Sequence, residues 1–269
     1  MPRHGRSLCA QGDLVGRFPA LSILEGALAL AYTDNHFGFG ETDICKSDLE
    51  LARGSLGSVN DITSINTEAG AGYHTSTALT AEGHVVIAHA IIGNSHEDEG
   101  VYAATEQSDG TFKERLLFAN AEVSSRIAVA AQEGQGIYVV FREDGTDQLI
   151  VMRSLDDGES FTPEIPERLS VTGHSPQAGF LADGTLVLAY GHCKDVDDGN
   201  PLCDTSADGV RVSWRAPSAT QFSKATLLGD DEDLDGLAVD MAIVDDVITT
   251  LSFNASQSQA TIHRLRSVP

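Results

Sequence analysis

Apolar residues alternate with polar or small ones in short runs along the chain, and one such pattern occurs five times. Each copy contains a short run, a tight turn and a second run with an apolar residue at every other position. A period of two is typical of β-strands. The copies occupy residues 17–32, 74–89, 126–141, 175–190 and 238–253. The pattern therefore predicts five β-hairpins.

The hairpins begin about 50 to 60 residues apart, and repeats of this length with several short strands indicate a β-propeller. A third strand follows each hairpin, from "TDICKS" in the first repeat to "ATIHRL" in the last. The last repeat ends after three strands, so we expect residues 1–16 to complete it and close the ring, which protects the edge strands. The predicted fold is all-β, a propeller of about five four-stranded blades in one domain, 1–269. Its blades start near residues 17, 74, 126, 175 and 238, and a fragment of a larger ring is the alternative.

The net charge and the hydropathy of the chain limit the kinds of molecule that it is expected to bind. The net charge is −23, from 40 acidic and 17 basic residues. Such a surface repels phosphate backbones, so we expect no nucleic-acid partner. No apolar run approaches the ~18 residues of a membrane span. The first residues contain no apolar signal segment, so the extracellular or periplasmic location that we expect requires a leader outside this sequence, and a cytoplasmic location stays open.

The four cysteines show no CxxC spacing, which disfavours a zinc site. Cys193 and Cys203 flank one polar loop and are placed to close it as a disulfide, which would imply an oxidising compartment. Free thiols are the alternative. Both possibilities also stay open for Cys9 and Cys45.

The stretch "RSLDDGESF", residues 153–161, follows the third strand of the third repeat. Its Ser154, Asp156, Gly158, Ser160 and Phe161 resemble the Asp-box, or BNR, repeat of sialidase-like propellers. Weaker copies occupy residues 105–112 and 215–222. We expect the aspartate to accept hydrogen bonds from turn amides and the aromatic residue to anchor the turn between sheets. The resemblance implies a structural turn on the rim, away from any substrate site.

A ligand site is expected where the first strands of a propeller begin and the second strands end, because loops crowd that face. The repeat alignment places Arg17, His74, Arg126, Ser175 and Ala238 at the first position and Pro19, Ser76, Ala128, Gln177 and Asp240 at the third. The ligand-binding residues predicted from this alignment and from the ends of the second strands are His74, Ser76, Gln177, Asp240, Tyr32, Arg142 and His192. Water filling a polar channel is the alternative explanation of these side chains.

The stretch "GRFPAL" resembles the Arg-Ile-Pro signature that opens the first catalytic blade of sialidases. The resemblance implies that Arg17 binds a substrate carboxylate through its planar fork and that Arg126 occupies the equivalent place two blades on. It implies Asp34 or Asp43 as the general acid. Three features depart from the family: Phe18 replaces isoleucine, the last repeat has no tyrosine for a nucleophile, and the chain has five repeats instead of six.

The stretch "DDEDLDGLAVD", residues 230–240, predicts a cation site. Alternating carboxylates at Asp231, Asp233 and Asp235 suit calcium, which takes six to eight oxygen ligands. Ala242 stands where a calcium loop of the EF-hand type has glutamate, so a solvated acidic loop is the alternative. A second acidic cluster occupies residues 195–200.

Three functions fit these observations. The first is an Asp-box propeller that binds a glycan or a protein at its loop-rich face. The second is a sialidase-like glycoside hydrolase that uses Arg17, Arg126 and an aspartate acid, and the third is a structural propeller that docks other proteins. A nucleophile would distinguish the enzyme, and Tyr32 and Tyr190 end second strands without occupying the position that the family uses.

Overall fold

The structure is a computed structural model. It describes residues 15–34, 47–67, 70–92, 99–120, 123, 126–143, 145–146, 148–166, 172–192, 209–228, 235–254 and 259–266. Nineteen strands form five sheets in this part of the chain, and each sheet is a meander in which consecutive strands pair antiparallel. This topology is that of propeller blades. None of the described residues lies in a helix that could cross a membrane.

The five sheets follow one another along the chain. Sheet 1 contains β1 (Val15–Leu24), β2 (Ala27–Asp34), β3 (Asp48–Ser55) and β4 (Ser58–Asn66). Sheet 2 contains β5 (Tyr73–Leu79), β6 (Val85–Ile91), β7 (Gly100–Glu106) and β8 (Phe112–Ala119). Sheet 3 contains β9 (Ala128–Gln132), β10 (Gly136–Glu143), β11 (Gln148–Ser154) and β12 (Thr162–Glu164). Sheet 4 contains β13 (Thr172–Phe180), β14 (Leu186–His192), β15 (Gly209–Arg215) and β16 (Thr226–Leu228). Sheet 5 contains β17 (Asp235–Val244), β18 (Val247–Asn254) and β19 (Gln259–Leu265).

The chain forms two compact units, Met1–Val123 with sheets 1 and 2 and Ser124–Pro269 with sheets 3 to 5. In the first unit, Ala29, Leu49 and Leu51 of sheet 1 pack with Val85 and Ile87 of sheet 2. The apolar faces of these sheets are removed from water together, which is the main stabilising contribution.

The second unit has two such layers. Tyr138 and Val151 of sheet 3 pack with Leu188 of sheet 4, and the opposite face of sheet 4 packs through Val187 against Ile248 of sheet 5. Every residue of β14 is buried, because both faces of this strand are covered.

The third strand of the first sheet was predicted wrongly. It was placed at residues 42–47, whereas β3 occupies Asp48–Ser55. Leu49 and Leu51 are fully buried there, so this run is the one that fits the core. The ring closure by residues 1–16 lies almost entirely outside the described residues and stays a prediction, as does the single-domain boundary.

The hairpin register differs between repeats. Ser76 pairs with Ala88 and Gln177 with Ala189, whereas Ala20 pairs with Ala31 because the β1–β2 turn is one residue shorter. The gapless repeat alignment is therefore offset by one residue in β1. Phe18, and not Arg17, takes the place of His74. The alignment is offset by one residue in the other direction in β17, where Val239 pairs with Ser252, so Val239, and not Asp240, takes the place of Ser76 and Gln177.

Candidate functional site

The first strands of sheets 1, 2, 4 and 5 are irregular where they begin. Their pairing shifts between Arg17 and Ala20, between Tyr73 and Ser76, between His174 and Gln177, and between Asp235 and Val239. Such bulges turn side chains out of the regular ladder and are frequent beside binding sites.

In sheets 1, 2 and 4 the irregularity contains a non-glycine residue with a left-handed backbone. The φ angles are 48° at Phe18, 54° at His74 and 45° at Ser175. Within the described strands, these are the non-glycine residues with positive φ. Such a conformation costs on the order of 1–3 kcal/mol per residue and persists only where the surroundings fix it. The same strain at the same place in three sheets indicates a shared role.

In the first unit, hydrogen bonds fix the segment that leads into this bulge, residues 70–74. Ile92 N–H donates to Gly70 O at 3.0 Å, and Ser47 Oγ donates to Ala71 O at 2.9 Å. Thr33 Oγ1 donates to Gly72 O. The N–H of Gly72 donates to His89 Nδ1 at 3.3 Å. Gly70, Ala71 and Gly72 are thus each hydrogen-bonded, which fixes the backbone that leads into the strained conformation of His74.

Three aromatic side chains meet at this point. The ring of Phe18 lies 5.3 Å from that of Tyr73 and 4.8 Å from that of His74, measured between centroids. Thr75 Oγ1 donates to Phe18 O and ties the two bulges together. Tyr73 is buried, while Phe18 and His74 are half-buried. Half-buried aromatic surface beside a polar imidazole is the usual lining of a small-molecule site.

Tyr32 and Asp34 lie on the opposite face of sheet 1. Their neighbour Thr33 bonds to sheet 2, and successive strand residues point to opposite faces. Tyr32 pairs with Glu50 and Asp34 with Asp48 across β2 and β3. Glu50 is buried, and its Oε1 accepts a hydrogen bond of 2.6 Å from Ser64 Oγ. The structure therefore places the two predicted residues in a carboxylate-rich cluster and away from His74.

The pKa of Tyr32 is raised, first by burial and then by the negative charges of Glu50 and Asp34. The phenol therefore stays protonated well above neutral pH. A nucleophilic tyrosine is activated either by a lowered pKa or by an adjacent general base, and the first of these routes is absent at Tyr32.

In the second unit the predicted residues have different surroundings. Arg126 is exposed and precedes β9, whereas Ser175, Arg142 and His192 are buried. Gln177 Nε2 donates to Val239 O at 3.2 Å and links sheet 4 to sheet 5. Asp240 is exposed, and its Oδ1 accepts from the Met241 amide at 3.0 Å. Gln177 thus has a structural contact, and Arg126 and Asp240 are open to solvent.

Several predicted residues cannot be placed in the site. Asp43, Asp231 and Asp233 lie outside the described residues, as do all four cysteines. For Arg17 and Asp235 the structure describes only the backbone. Arg17 pairs with Thr33 and Asp235 pairs with Asn254. In the part of the chain that the structure describes, no group of three histidine, cysteine, aspartate or glutamate side chains could hold a metal ion. The calcium and disulfide predictions stay predictions.

The structure brings one predicted residue, His74, together with Phe18 and Tyr73, which sequence reasoning did not select. Ser76 pairs with Ala88 and lies on the face of sheet 2 away from sheet 1, whereas His89, which was also not selected, lies on the face toward sheet 1 with Ile87. Phe18 could have been found by comparing hairpin lengths, since one missing residue moves it into the position of His74. His89 is the last residue of the repeated sequence pattern in its repeat, as Tyr32 is in the first. No sequence signal distinguishes it from a core histidine.

The turn after β11 is held by its own side chains. Asp156 Oδ1 accepts from Ser160 N–H at 2.9 Å and Asp156 Oδ2 from Ser160 Oγ at 2.5 Å. Ser154 Oγ accepts from Gly158 N–H at 2.9 Å and donates to Asp156 Oδ1 at 2.8 Å. Both carboxylate oxygens of Asp156 thus accept hydrogen bonds from the turn itself, so this acid of "RSLDDGESF" has a structural use.

The aromatic residues of the weaker copies lie between sheets. Phe112 packs against the core between sheets 1 and 2, and Phe222 packs against the core between sheets 3 and 4. The anchoring role expected from the sequence is thus observed at both positions.

The Asp156 turn predicts a pH effect. The hydrogen bonds from Ser160 and Ser154 lower the pKa of Asp156 to about 2. Since this pKa lies below the ordinary aspartate value of about 3.9, the stabilisation is present above that value and is lost as the pH falls toward about 2. We expect the difference in melting temperature between the unmodified protein and Asp156→Asn to be constant from about pH 7 to 5 and to shrink below about pH 4.

Asp157→Asn is the matched control, because it removes the same charge from the same turn and leaves the bonds to Ser160. Thermal melts followed by circular dichroism measure both differences. An Asp156→Asn difference that is as large at about pH 2 as at pH 7 would contradict the prediction.

Comparison with solved structures identifies the fold. The sequence matches no protein-family model and no curated protein. A Hadza microbial sialidase is similar with a TM-score of 0.64 and 14% identity, over 92% of this chain and 52% of the sialidase. A mutant of Trypanosoma rangeli sialidase displaying trans-sialidase activity has a TM-score of 0.55 and 10% identity, over 94% and 45%. An exo-β-1,3-galactanase from Phanerochaete chrysosporium, crystallised with β-1,3-galactotriose, has a TM-score of 0.54 and 10% identity, over 94% and 61%.

These similarities concern architecture. The chain spans about half the length of the first of these proteins, at 52%, and the identities are too low to carry an activity. The predicted fold class is confirmed: the chain has an all-β propeller fold with five blades, similar to that of sialidases and other glycoside hydrolases.

Proposed function

We propose that this chain is a carbohydrate-binding β-propeller whose ligand contacts the beginnings of the first strands. In the first unit the contacts are the rings of Phe18 and His74. The observation that carries this proposal is the left-handed backbone at Phe18, His74 and Ser175, since strain is retained where function benefits from it. The sugar-active proteins with similar folds support it.

The ligand that we propose is a neutral sugar. The net charge is −23, and the cluster of Asp34, Asp48 and Glu50 adds negative potential on sheet 1. Such a field repels the carboxylate of an acidic sugar and leaves an uncharged one unaffected.

A screen of neutral and sialylated glycans on an array, followed by calorimetry on the best ligand, tests this proposal. We expect His74→Ala to weaken binding by tenfold or more, equivalent to about 1.4 kcal/mol, because it removes ring surface and a hydrogen-bonding group. Glu82→Ala is the control, since Glu82 is exposed in the β5–β6 turn at the other end of the same hairpin. Equal losses in the two variants, or binding confined to sialylated glycans, would refute the proposal.

A glycoside hydrolase is the second candidate. The observation in its favour is the proximity of two carboxylates, Asp34 and Glu50, to the Tyr32 phenol, since glycosidases use a pair of carboxyl groups. Asp34 would be the acid, with Asp43 as the alternative, and Arg17 and Arg126 would bind the substrate. Turnover of a chromogenic neutral glycoside that is lost in Asp34→Asn would support this function. Turnover of a fluorogenic sialoside that is lost in Arg17→Ala would support the sialidase form of it.

We also infer that residues 154–161 form an Asp-box. The bonds from Ser160 and Gly158 to Asp156 and Ser154 support this assignment, as does the position of the turn between the third and fourth strands of its sheet.

A further inference from the structure

His89 is fully buried at 0% exposure, yet it is hydrogen-bonded on both ring nitrogens. Its Nδ1 lies 3.3 Å from the amide nitrogen of Gly72. Because a backbone amide can only donate, Nδ1 must be the acceptor and must carry no proton. Its Nε2 lies 2.8 Å from Glu114 Oε1, so the single ring proton of the neutral imidazole is on Nε2 and is donated to Glu114.

The groups around His89 hold this arrangement. Asn66 Nδ2 donates to Glu114 Oε2 at 2.7 Å and fixes the carboxylate from sheet 1. The ring of Tyr102 is stacked on that of His89, with 5.7 Å between centroids. Arg53 and Glu106, which also lie between sheets 1 and 2, pair with each other at 2.8 Å toward the opposite end of β6. Among the residues that the structure describes, Glu114 is the charged group that hydrogen-bonds to the imidazole.

Protonation would reverse the contact between His89 and Gly72. A second ring proton can only go to Nδ1, which then presents an N–H to the N–H of Gly72. Two donors in place of a donor and an acceptor repel each other and leave both buried groups without a partner. The imidazolium keeps its bond to Glu114, so the group that must move is segment 70–74.

Glu114 itself is not the titrating group near neutral pH. Burial works to raise the pKa of Glu114, but the hydrogen bond and charge of His89 and the hydrogen bond from Asn66 outweigh it and hold that pKa below the usual range. Glu114 thus stays ionised throughout the range in which imidazole titrates, between about pH 5 and 8.

We propose that His89 is a pH-sensitive positioning residue, which holds segment 70–74, and with it His74, only while its imidazole is neutral. Acidification releases the segment locally and relaxes the left-handed conformation of His74. The consequence for sugar binding rests on the proposed function: ligand contacts through His74 weaken at mildly acidic pH. The release of the segment does not depend on any ligand.

Hydrogen exchange of the full chain, measured by mass spectrometry at about pH 5 and about pH 8 and corrected for intrinsic rates, tests this directly. We expect the amides of residues 70–76 to lose tenfold or more of their protection at the lower pH. Amides of β14 in the second unit should keep theirs. Equal protection of residues 70–76 at both values, or a parallel loss in β14, would overturn the proposal.

Two variants identify the titrating group. His89→Asn keeps an oxygen acceptor at the position of Nδ1 and cannot be protonated, so its segment should be equally protected at both pH values. Glu114→Gln removes the charge that favours the imidazolium, so release should require a lower pH than in the unmodified protein. If His89→Asn fails to fold, the shift in Glu114→Gln decides, and an unchanged midpoint in that variant contradicts the proposal. Binding of the best array ligand, measured at the two pH values, distinguishes failure of this inference from failure of the proposed function. If the segment is released at low pH but no glycan binds, this inference stands and only the proposed function is refuted.

Discussion

Gly70→Ala is expected to lower the free energy of unfolding by about 3–4 kcal/mol. Gly70 has a φ of 89°, and a Cβ built on it would lie 2.1 Å from the carbonyl oxygen of Ile92. The obstacle is backbone, and the same two residues are joined by the bond from Ile92 N–H to Gly70 O. Neither side can give way without breaking that bond, so the cost of the left-handed conformation and the cost of the overlap add.

Gly83→Ala is the matched control for this prediction. Gly83 has a φ of 83°, nearly that of Gly70, but a Cβ there would meet nothing within 4 Å. We expect only the conformational cost, about 1 kcal/mol. Urea unfolding of both variants measures the difference, which isolates the steric contribution. Equal losses in the two variants would show that segment 70–74 can move without cost.

Arg215→Ala is expected to cost about 3–5 kcal/mol. The side chain of Arg215 is 4% exposed. Its guanidinium lies over two rings, with its central carbon 5.0 Å from the centroid of Tyr138 and 4.8 Å from that of Phe222. It donates to Tyr138 Oη at 2.6 Å and to Glu164. Since Tyr138 and Glu164 belong to sheet 3 and Arg215 to sheet 4, truncation removes the polar link between the sheets and leaves a partly buried carboxylate without its main partner.

Arg53→Ala is the control for Arg215. Arg53 makes a similar set of contacts between sheets 1 and 2, with Glu106 at 2.8 Å and the ring of Phe112 at 5.7 Å. Its side chain is 33% exposed, so we expect a loss of about 1 kcal/mol or less. Arg215→Lys, which keeps the charge but not the planar fork, should fall between them. A smaller loss for Arg215→Ala than for Arg53→Ala in denaturant titrations would contradict the prediction.

The prediction of β-strands succeeded where the two-residue period is strong. The run that forms β10 contains Ile137, Val139 and Phe141, and no helical period fits it. The local pattern alone therefore predicted both that this run is a strand and where the strand lies in the sequence. The run that became β3 was missed because "TDICKS" and "DLELARGS" alternate about equally well. Only the partner strand, through the pairing of Leu51 with Ala31, decides between them.

The candidate site was predicted less completely than the fold. His74 followed from the repeat, because equivalent positions of a repeat occupy equivalent positions of the fold. Arg17 was assigned to the wrong position because the length of a turn sets strand register and cannot be read from the strand itself. Gln177 was predicted to bind ligand, but its side chain donates to Val239 O, a contact between residues far apart in the sequence.

The sequence by itself determined that this chain is built from repeated antiparallel hairpins, because the alternation of apolar residues is a local property that each strand carries alone. It also determined the structural turn at residues 154–161, since the hydrogen bonds of Asp156 to Ser154 and Ser160 are made within the turn. The tertiary structure alone decided which residues are strained, which Arg links two sheets, and that His89 must accept a hydrogen bond from Gly72. These features depend on which atoms face each other across separate strands, and only the packing of the sheets brings those atoms together.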